Sequence, residues 1–242
     1  MAMEQIPRQR TPILNVPGVV TGLIVAMAAV HLVRLYGPFS DEAILYYFAF
    51  IPARLSVDAT TMAQLGLLDQ GARYWSLITY AFIHADWLHL AMNSFWMLAF
   101  GSVVARRLTA LRFLLLSGLG AIAGALMYYA FHPGANAVLV GASAAVSAQV
   151  AAAARLMFVQ DGRLRWGHGQ EIGTAKPLSL VQTFSNRRSL TFIVIWLGLN
   201  YAFGAAGLGT PEADMLIAWE AHLGGFIAGL LVLGIVDPRD PA

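Results

Sequence analysis

The stretch LRFLLLSGLGAIAGALMYYAF, residues 111–131, decides the class of fold. It carries one charged residue, Arg112, and it is as long as the roughly 20 apolar residues that a helix needs to cross a bilayer. The whole chain shares this character, since 58% of its 242 residues are hydrophobic, 12% are charged and its mean hydropathy is +0.65. An ordinary soluble domain carries about 25% charged residues. The sequence therefore predicts an all-α polytopic membrane protein.

Six apolar segments of this kind follow one another, which predicts a bundle of six transmembrane helices. They cover residues 19–36, 87–104, 111–131, 138–158, 190–208 and 215–236. The predicted membrane domain comprises residues 17–237, between an N-terminal segment, 1–16, and a C-terminal tail, 238–242. Its two large connections are a long outer loop, residues 37–74, and a polar cytoplasmic loop, residues 159–189.

The basic residues orient the predicted spans. Of the 15 lysines and arginines, all except Arg34, Arg54 and Arg73 fall on one side of the bundle. Because cytoplasmic loops carry the excess of Lys and Arg, both termini are expected in the cytoplasm, as an even number of spans also requires. We therefore expect a multi-pass protein of a bacterial inner membrane, in contact with the lipid bilayer and with no nucleic acid. The chain has no cysteine, which excludes disulfides and thiolate chemistry.

Strongly polar side chains recur at membrane depth in three predicted spans, where each is costly and therefore a candidate for function. They are His84, His89 and Asn93 in HADWLHLAMN (84–93), Ser143 and Ser147 in GASAAVS (141–147), and Glu220 and His222 in EAHLGG (220–225). All three spans enter from the outer face. At 1.5 Å per residue, Asn93, Ser143 and His222 are predicted to lie roughly 6–10 Å below their helix starts. The three helices can then bring a serine, a histidine and two hydrogen-bond donors into one pocket.

That set of side chains is sufficient for acyl transfer. A serine hydroxyl is a weak nucleophile without a neighbouring base, and the imidazole of His222 can serve because it titrates near neutrality. The developing oxyanion needs preorganised donors, which the side chains of His89 and Asn93 and the backbone N–H of Ser143 can supply. Glu220 is two residues from His222 and on a different helix face. The pattern therefore predicts a Ser–His dyad without a carboxylate.

At these residues the chain resembles the rhomboid intramembrane serine proteases. The motifs that match, in the family's order on its second, fourth and sixth helices, are His84-x-x-x-x-His89-x-x-x-Asn93, Gly141-x-Ser143 and Ala221-His222-x-Gly224-Gly225. The resemblance implies a six-helix rhomboid-like bundle with Ser143 as nucleophile and His222 as general base. It also implies His89 and Asn93 at the oxyanion and a mainly structural role for His84. The implied activity is that of a serine endopeptidase, without metal or cofactor, that cuts single-pass membrane proteins near the outer end of a helix.

Two departures from the family pattern concern the site itself. The family usually has Gly-x-Ser-Gly, and Ala144 stands here in place of the second glycine. Its methyl group could crowd the oxyanion pocket or point away from it. Many members have an aromatic residue that packs on the histidine one turn after the serine, where this chain has Ser147. Gly141, before the nucleophile, is expected to support the site by seating a neighbouring helix.

Other functions remain open at this stage. The first is a catalytically inactive rhomboid-like protein that binds transmembrane helices, an alternative that Ala144 favours and the full set of polar side chains opposes. Ser147 is an alternative nucleophile, deeper in the span and outside the motif. A zinc protease would use His84, His89 and His222, but the chain has no His-Glu-x-x-His motif and no carboxylate ligand nearby. A transporter usually shows repeats and broken helices, and neither is visible.

A route to the site is also predicted. A substrate helix is expected to enter laterally past the fifth span, while the glycine- and proline-containing loop GLGTPEAD, residues 207–214, moves as a cap. Water then reaches the acyl-enzyme from the outer side.

Overall fold

The computed structural model describes residues 16–64, 71–158, 176–204 and 218–237. Within these ranges all regular structure longer than a single bridge is helical, which confirms the all-α prediction. The helices in chain order are α1 (Gly18–Tyr36), α2 (Asp41–Phe48), α3 (Ala53–Ser56), α4 (Ala59–Gln64), α5 (Ala72–Thr79), α6 (Trp87–Arg107), α7 (Ala110–Phe131), α8 (Ser143–Met157), α9 (Leu180–Ser185), α10 (Arg187–Gly204) and α11 (Trp219–Val236).

Four of these helices, α1, α6, α7 and α11, are long and apolar enough to cross a membrane. The two remaining predicted spans contain α8 and α10. Helix α8 has 15 residues, which corresponds to a length of about 22 Å. Helix α10 has 18 residues and begins with two arginines, Arg187 and Arg188. The described ranges therefore confirm a helix in each predicted span, while the count of six membrane crossings stays a prediction.

Helix α8 lies at the centre of the bundle although it is short. Every residue from Ala144 to Met157 is buried, and most of them are small. A methyl group added at Gly120 of α7 would overlap the methyl of Ala148, and one added at Gly229 of α11 would lie 2.7 Å from the carbonyl carbon of the same residue. Small residues allow this close packing, which stabilises helix pairs inside membranes.

The start of α8 differs from the predicted start of the fourth span. The helix begins at Ser143, five residues later than residue 138. The residues just before the helix bond to other parts of the chain instead. Phe50 and Leu139 exchange backbone hydrogen bonds of 3.1 and 2.8 Å, and Gly141 N donates to Tyr80 O at 3.0 Å. Gly141 has a φ of +113°, a conformation that L side chains rarely adopt, and the chain turns there into the helix. The prediction was wrong because a short, buried apolar segment cannot be told from a helix by its pattern.

Arg34, Arg54 and Arg73 tie together the segment between α1 and α6. Arg34 forms an ion pair with Asp41, and its hydrogen bond lowers the pKa of that carboxyl group. Arg54 is 1% exposed and donates to Ala49 O at 3.1 Å. Arg73 donates to the carbonyl oxygen of Arg54 at 2.6 and 3.0 Å. Each of these cations therefore has a structural role on the side of the bundle that is poor in basic residues.

Buried arginines also join the helices at the end of the bundle where α6 and α11 terminate. Arg107 of α6 contacts Asp237, which follows α11, at 2.8 Å, and both side chains are fully buried. Arg155 of α8 donates to Leu230 O of α11 at 2.9 Å. The bond of Arg155 helps to fix the register of α8 and α11, and the ion pair of Arg107 joins α6 to the end of α11.

Candidate active site

Ser143 is the first residue of α8 and is partly exposed, whereas its neighbours Ala142 and Ala144 are buried. The first bond of the helix runs from Val146 N to Ala142 O at 2.9 Å, so the amide of Ser143 has no helical acceptor. Unpaired N–H groups and the positive end of the helix dipole favour negative charge at this point. Ser143 therefore lies where a developing oxyanion would be stabilised.

The predicted depth of Ser143 below its helix start is wrong. Ser143 stands at the start itself, while Asn93 lies six residues into α6 and His222 three residues into α11. The start of α8 is nevertheless inside the bundle, because Ala142 and Ala144 on either side of Ser143 are buried. The residues before the helix are held there by backbone bonds to Phe50 and Tyr80.

His222 is placed by the packing of α11 on α8. It lies one turn before Gly225 on the same face of α11. A methyl group added at Gly225 would lie 2.7 Å from the carbonyl carbon of Ala144, and Gly229 packs on the next turn of α8 in the same way. The two helices therefore run side by side, and we expect His222, one turn before Gly225, to lie near the start of α8. Among the described residues no hydrogen bond joins the Ser143 hydroxyl to His222; catalytic hydrogen bonds are often loose before substrate binds.

The sequence did not predict the contact between His222 and Asn200. Nδ1 of His222 is within hydrogen-bonding distance of Oδ1 of Asn200 on α10. The amide nitrogen of Asn200 donates to Trp196 O at 2.7 Å, so the amide oxygen is the group that faces the histidine. Nδ1 then carries the proton in the neutral ring, and Nε2 is left as the acceptor. The sequence did contain a signal for this residue. Asn200 is an isolated amide in an apolar span, where a polar side chain is costly and is therefore a candidate for function.

His89 and Asn93 lie against the segment that leads into Ser143. A methyl group added at Gly141 would lie 2.6 Å from His89 Nε2 and 3.8 Å from Asn93 Nδ2, so glycine permits their approach. Ala85 N donates to His89 Nδ1 at 3.4 Å, which leaves Nε2 to carry the proton. Asn93 donates one amide hydrogen to His89 O at 3.0 Å and has a second available. Both side chains thus present donors beside the backbone of the nucleophile segment.

His84 packs behind this pair of donors. Its ring is fully buried and meets the ring of His89 edge-on, with centroids 5.1 Å apart. His84 precedes α6, and burial lowers the pKa of its ring to about 3, so the ring is neutral at ordinary pH. A neutral, buried ring against His89 fits the mainly structural role expected for it.

The methyl group of Ala144 points away from His89 and Asn93. Ala144 is 1% exposed, and its methyl group packs on Gly124 of α7, where an added methyl would overlap it. The two donors approach from α6, at Gly141. The alanine that replaces the family's usual glycine therefore contributes to the packing of α7 on α8.

Ala144→Gly should leave the turnover number unchanged and lower the thermal midpoint slightly, because it removes buried methyl contacts outside the pocket. Both quantities can be measured on the purified protein with a model single-pass substrate. Ala148→Gly is the matched control, since it removes the equivalent methyl one turn further along α8, against Gly120. A severalfold rise in turnover for Ala144→Gly alone would show that the methyl does crowd the site.

The other polar side chains near the site have different partners or positions. Ser147 is 1% exposed within α8, one turn beyond Ser143. Glu220 contacts His132 at the outer end of α7, with 3.0 Å between Oε1 and Nε2. Its carboxylate is thereby directed to α7, so the structure supplies no carboxylate from Glu220 for orienting His222.

The helical bundle and the clustered serine, histidines and asparagine agree with one family of membrane proteins. The family model described as Rhomboid domain matches residues 71–239, which include every candidate site residue named above. The chain belongs to the rhomboid family and is an integral, multi-pass membrane protein. It is similar to a Bacillus subtilis (strain 168) protein named "Putative rhomboid protease YdcA", with 28% identity over 148 residues that cover 60% of this chain and 73% of that protein.

Proposed function

We propose that the protein is an intramembrane serine endopeptidase that cleaves single-pass membrane proteins near the outer membrane face. The observation that carries this proposal is the packing of Gly225 on Ala144, because Gly225 follows His222 by one turn and Ala144 is the neighbour of Ser143. Membership of the rhomboid family supports it, as members are usually intramembrane serine proteases. We place the protein in a bacterial inner membrane with both termini in the cytoplasm, as the distribution of basic residues indicates.

The proposed reaction follows from the donors and acceptors of the site. His222 Nε2 takes the proton of Ser143 Oγ, which attacks the carbonyl carbon of the scissile peptide bond. The side-chain N–H groups of His89 and Asn93 and the backbone N–H of Ser143 stabilise the oxyanion of the tetrahedral intermediate. His222 then gives the proton to the leaving amine, and the C–N bond breaks to leave an acyl-enzyme. Water from the outer side attacks the ester, with His222 again as the base.

The proposed entry route runs past α10. This helix meets α6 through aromatic side chains, with the ring centroids of Trp96 and Trp196 5.1 Å apart and those of Phe100 and Phe192 5.6 Å apart. Such a contact between side chains can open without breaking backbone hydrogen bonds. The predicted cap, residues 207–214, lies outside the described residues.

The second candidate function is a catalytically inactive protein that binds transmembrane helices, and the structure does not support the observation that favoured it. That alternative depended on Ala144, and the methyl group of this residue packs on Gly124. The proposed protease gives the serine, the histidines and the asparagine each a role, so it explains the polar side chains that mere helix binding would not require.

Cleavage of a model single-pass substrate in proteoliposomes tests the proposal. We expect cleavage that a fluorophosphonate abolishes and that EDTA leaves unchanged. Inhibition by EDTA but not by the fluorophosphonate would contradict the serine mechanism and support a zinc protease. Substrate that co-purifies with the protein and stays intact would instead support the inactive, helix-binding alternative.

A further inference from the structure

We infer that Asn200 is a positioning residue that holds the imidazole of His222 in the orientation and tautomer needed for catalysis. The inference rests on the proposed function, because it concerns the base of the same site. Asn200 belongs to α10, whereas the side chains assigned so far belong to α6, α8 and α11 or to the segment before α6. The site would therefore require a fourth helix.

The amide of Asn200 is itself held in one orientation. Its nitrogen donates to Trp196 O, one turn earlier in α10, at 2.7 Å. Its oxygen is thereby directed to His222 Nδ1. Reversing the amide would place two donors at the ring and lose the bond to Trp196 O, so the contact selects the tautomer with Nδ1–H. The lone pair of Nε2 is then free to accept the proton of Ser143.

Among the described residues, Asn200 is the side chain that hydrogen-bonds to His222. Glu220 is held by His132, and Ser147 offers only a small side chain at the position one turn after the serine. A general base is normally oriented by a third group, which can be an amide, as in Cys–His–Asn proteases. Asn200 supplies that group here without adding a charge to the membrane interior, where a carboxylate would be costly.

Asn200→Leu tests the inference, because leucine is close in size to asparagine and cannot accept a hydrogen bond. We expect kcat to fall roughly 100-fold, the typical loss when a catalytic group is misplaced by about 1 Å. KM and the thermal midpoint should change little, since the amide is not proposed to touch the substrate. Leu199→Ala is the matched control: Leu199 is the neighbouring residue on α10, is 49% exposed, and should keep the wild-type kcat.

Asn200→Asp supplies a readout that a merely structural role would not change. A carboxylate beside the ring favours the imidazolium form. Because the base must be neutral, the acid limb of the kcat profile should move to higher pH. The other titratable groups around the ring, His89 and the pair of Glu220 and His132, are the same in wild type and variant.

The outcomes separate this inference from the proposed function. Wild-type kcat in Asn200→Leu would overturn the role of Asn200 while leaving the protease intact, whereas absence of cleavage by the wild type would overturn the protease itself. If Asn200→Leu has a lowered thermal midpoint, the role of Asn200 is tested instead by the nitrogen NMR signals of His222 in the folded variant. A shift of the proton from Nδ1 toward Nε2 is expected, and an unchanged tautomer would contradict the inference.

Discussion

Ser143→Ala should abolish cleavage of a single-pass substrate while the protein stays folded. The substitution removes the attacking oxygen, and loss of the nucleophile in serine proteases costs on the order of 10⁶-fold in kcat. The fold should not suffer, because the cap residue of α8 is Ala142 and makes no side-chain cap bond. Alanine also has the highest helix propensity. The measurements are the initial cleavage rate in proteoliposomes and the thermal midpoint in detergent.

Ser147→Ala is the matched control for this prediction. It removes a hydroxyl from the same helix one turn further on, where the side chain is buried. We expect it to cleave at nearly the wild-type rate. Full activity in Ser143→Ala combined with loss of activity in Ser147→Ala would assign the nucleophile to Ser147 and contradict the proposed site.

Gly225→Ala should reduce both activity and stability, although residue 225 bears no polar side chain. The new methyl group would lie 2.7 Å from the carbonyl carbon and 2.9 Å from the Cα of Ala144. Both atoms belong to the backbone, so a change of rotamer cannot relieve the clash and α11 must move away from α8. Because these helices carry His222 and Ser143, we expect the cleavage rate to fall roughly 100-fold or more. The thermal midpoint should fall as well.

Gly118→Ala provides the control for the type of substitution. Gly118 is also in a membrane helix, α7, and an added methyl group there meets no atom within 4 Å. The control should keep the wild-type rate and gain slightly in stability, as alanine favours a helix more than glycine. A wild-type rate and midpoint in Gly225→Ala would show that α8 and α11 do not pack at this register.

The sequence predicted the helices best where local pattern alone determines them. The apolar length of residues 111–131 predicted α7 within one residue at its N-terminal end. The start of α8 was predicted too early, because the non-helical path of residues 138–142 depends on backbone bonds to Phe50 and Tyr80, which are distant in the sequence. A local pattern contains no information about such a pairing.

The same distinction applies to the candidate site. The four-residue spacing of Gly225 and Gly229 is typical of a close helix contact in a membrane, and the structure has one there against α8. The contact of Asn200 with His222 depends on the rotation of α10 relative to α11, which a single sequence does not specify. The direction of the Ala144 methyl could not be predicted for the same reason, since it depends on which neighbouring helix that face of α8 meets.

The most direct test of the central claim is to identify the residue that a fluorophosphonate modifies. After reaction of the full-length protein in proteoliposomes, mass spectrometry of its peptides should find one adduct, on Ser143. His222→Ala should react far more slowly, because the hydroxyl then lacks its base, and Ser143→Ala should not react. An adduct on any other residue, or labelling of His222→Ala at the wild-type rate, would contradict the assignment of Ser143 and His222 as the catalytic pair.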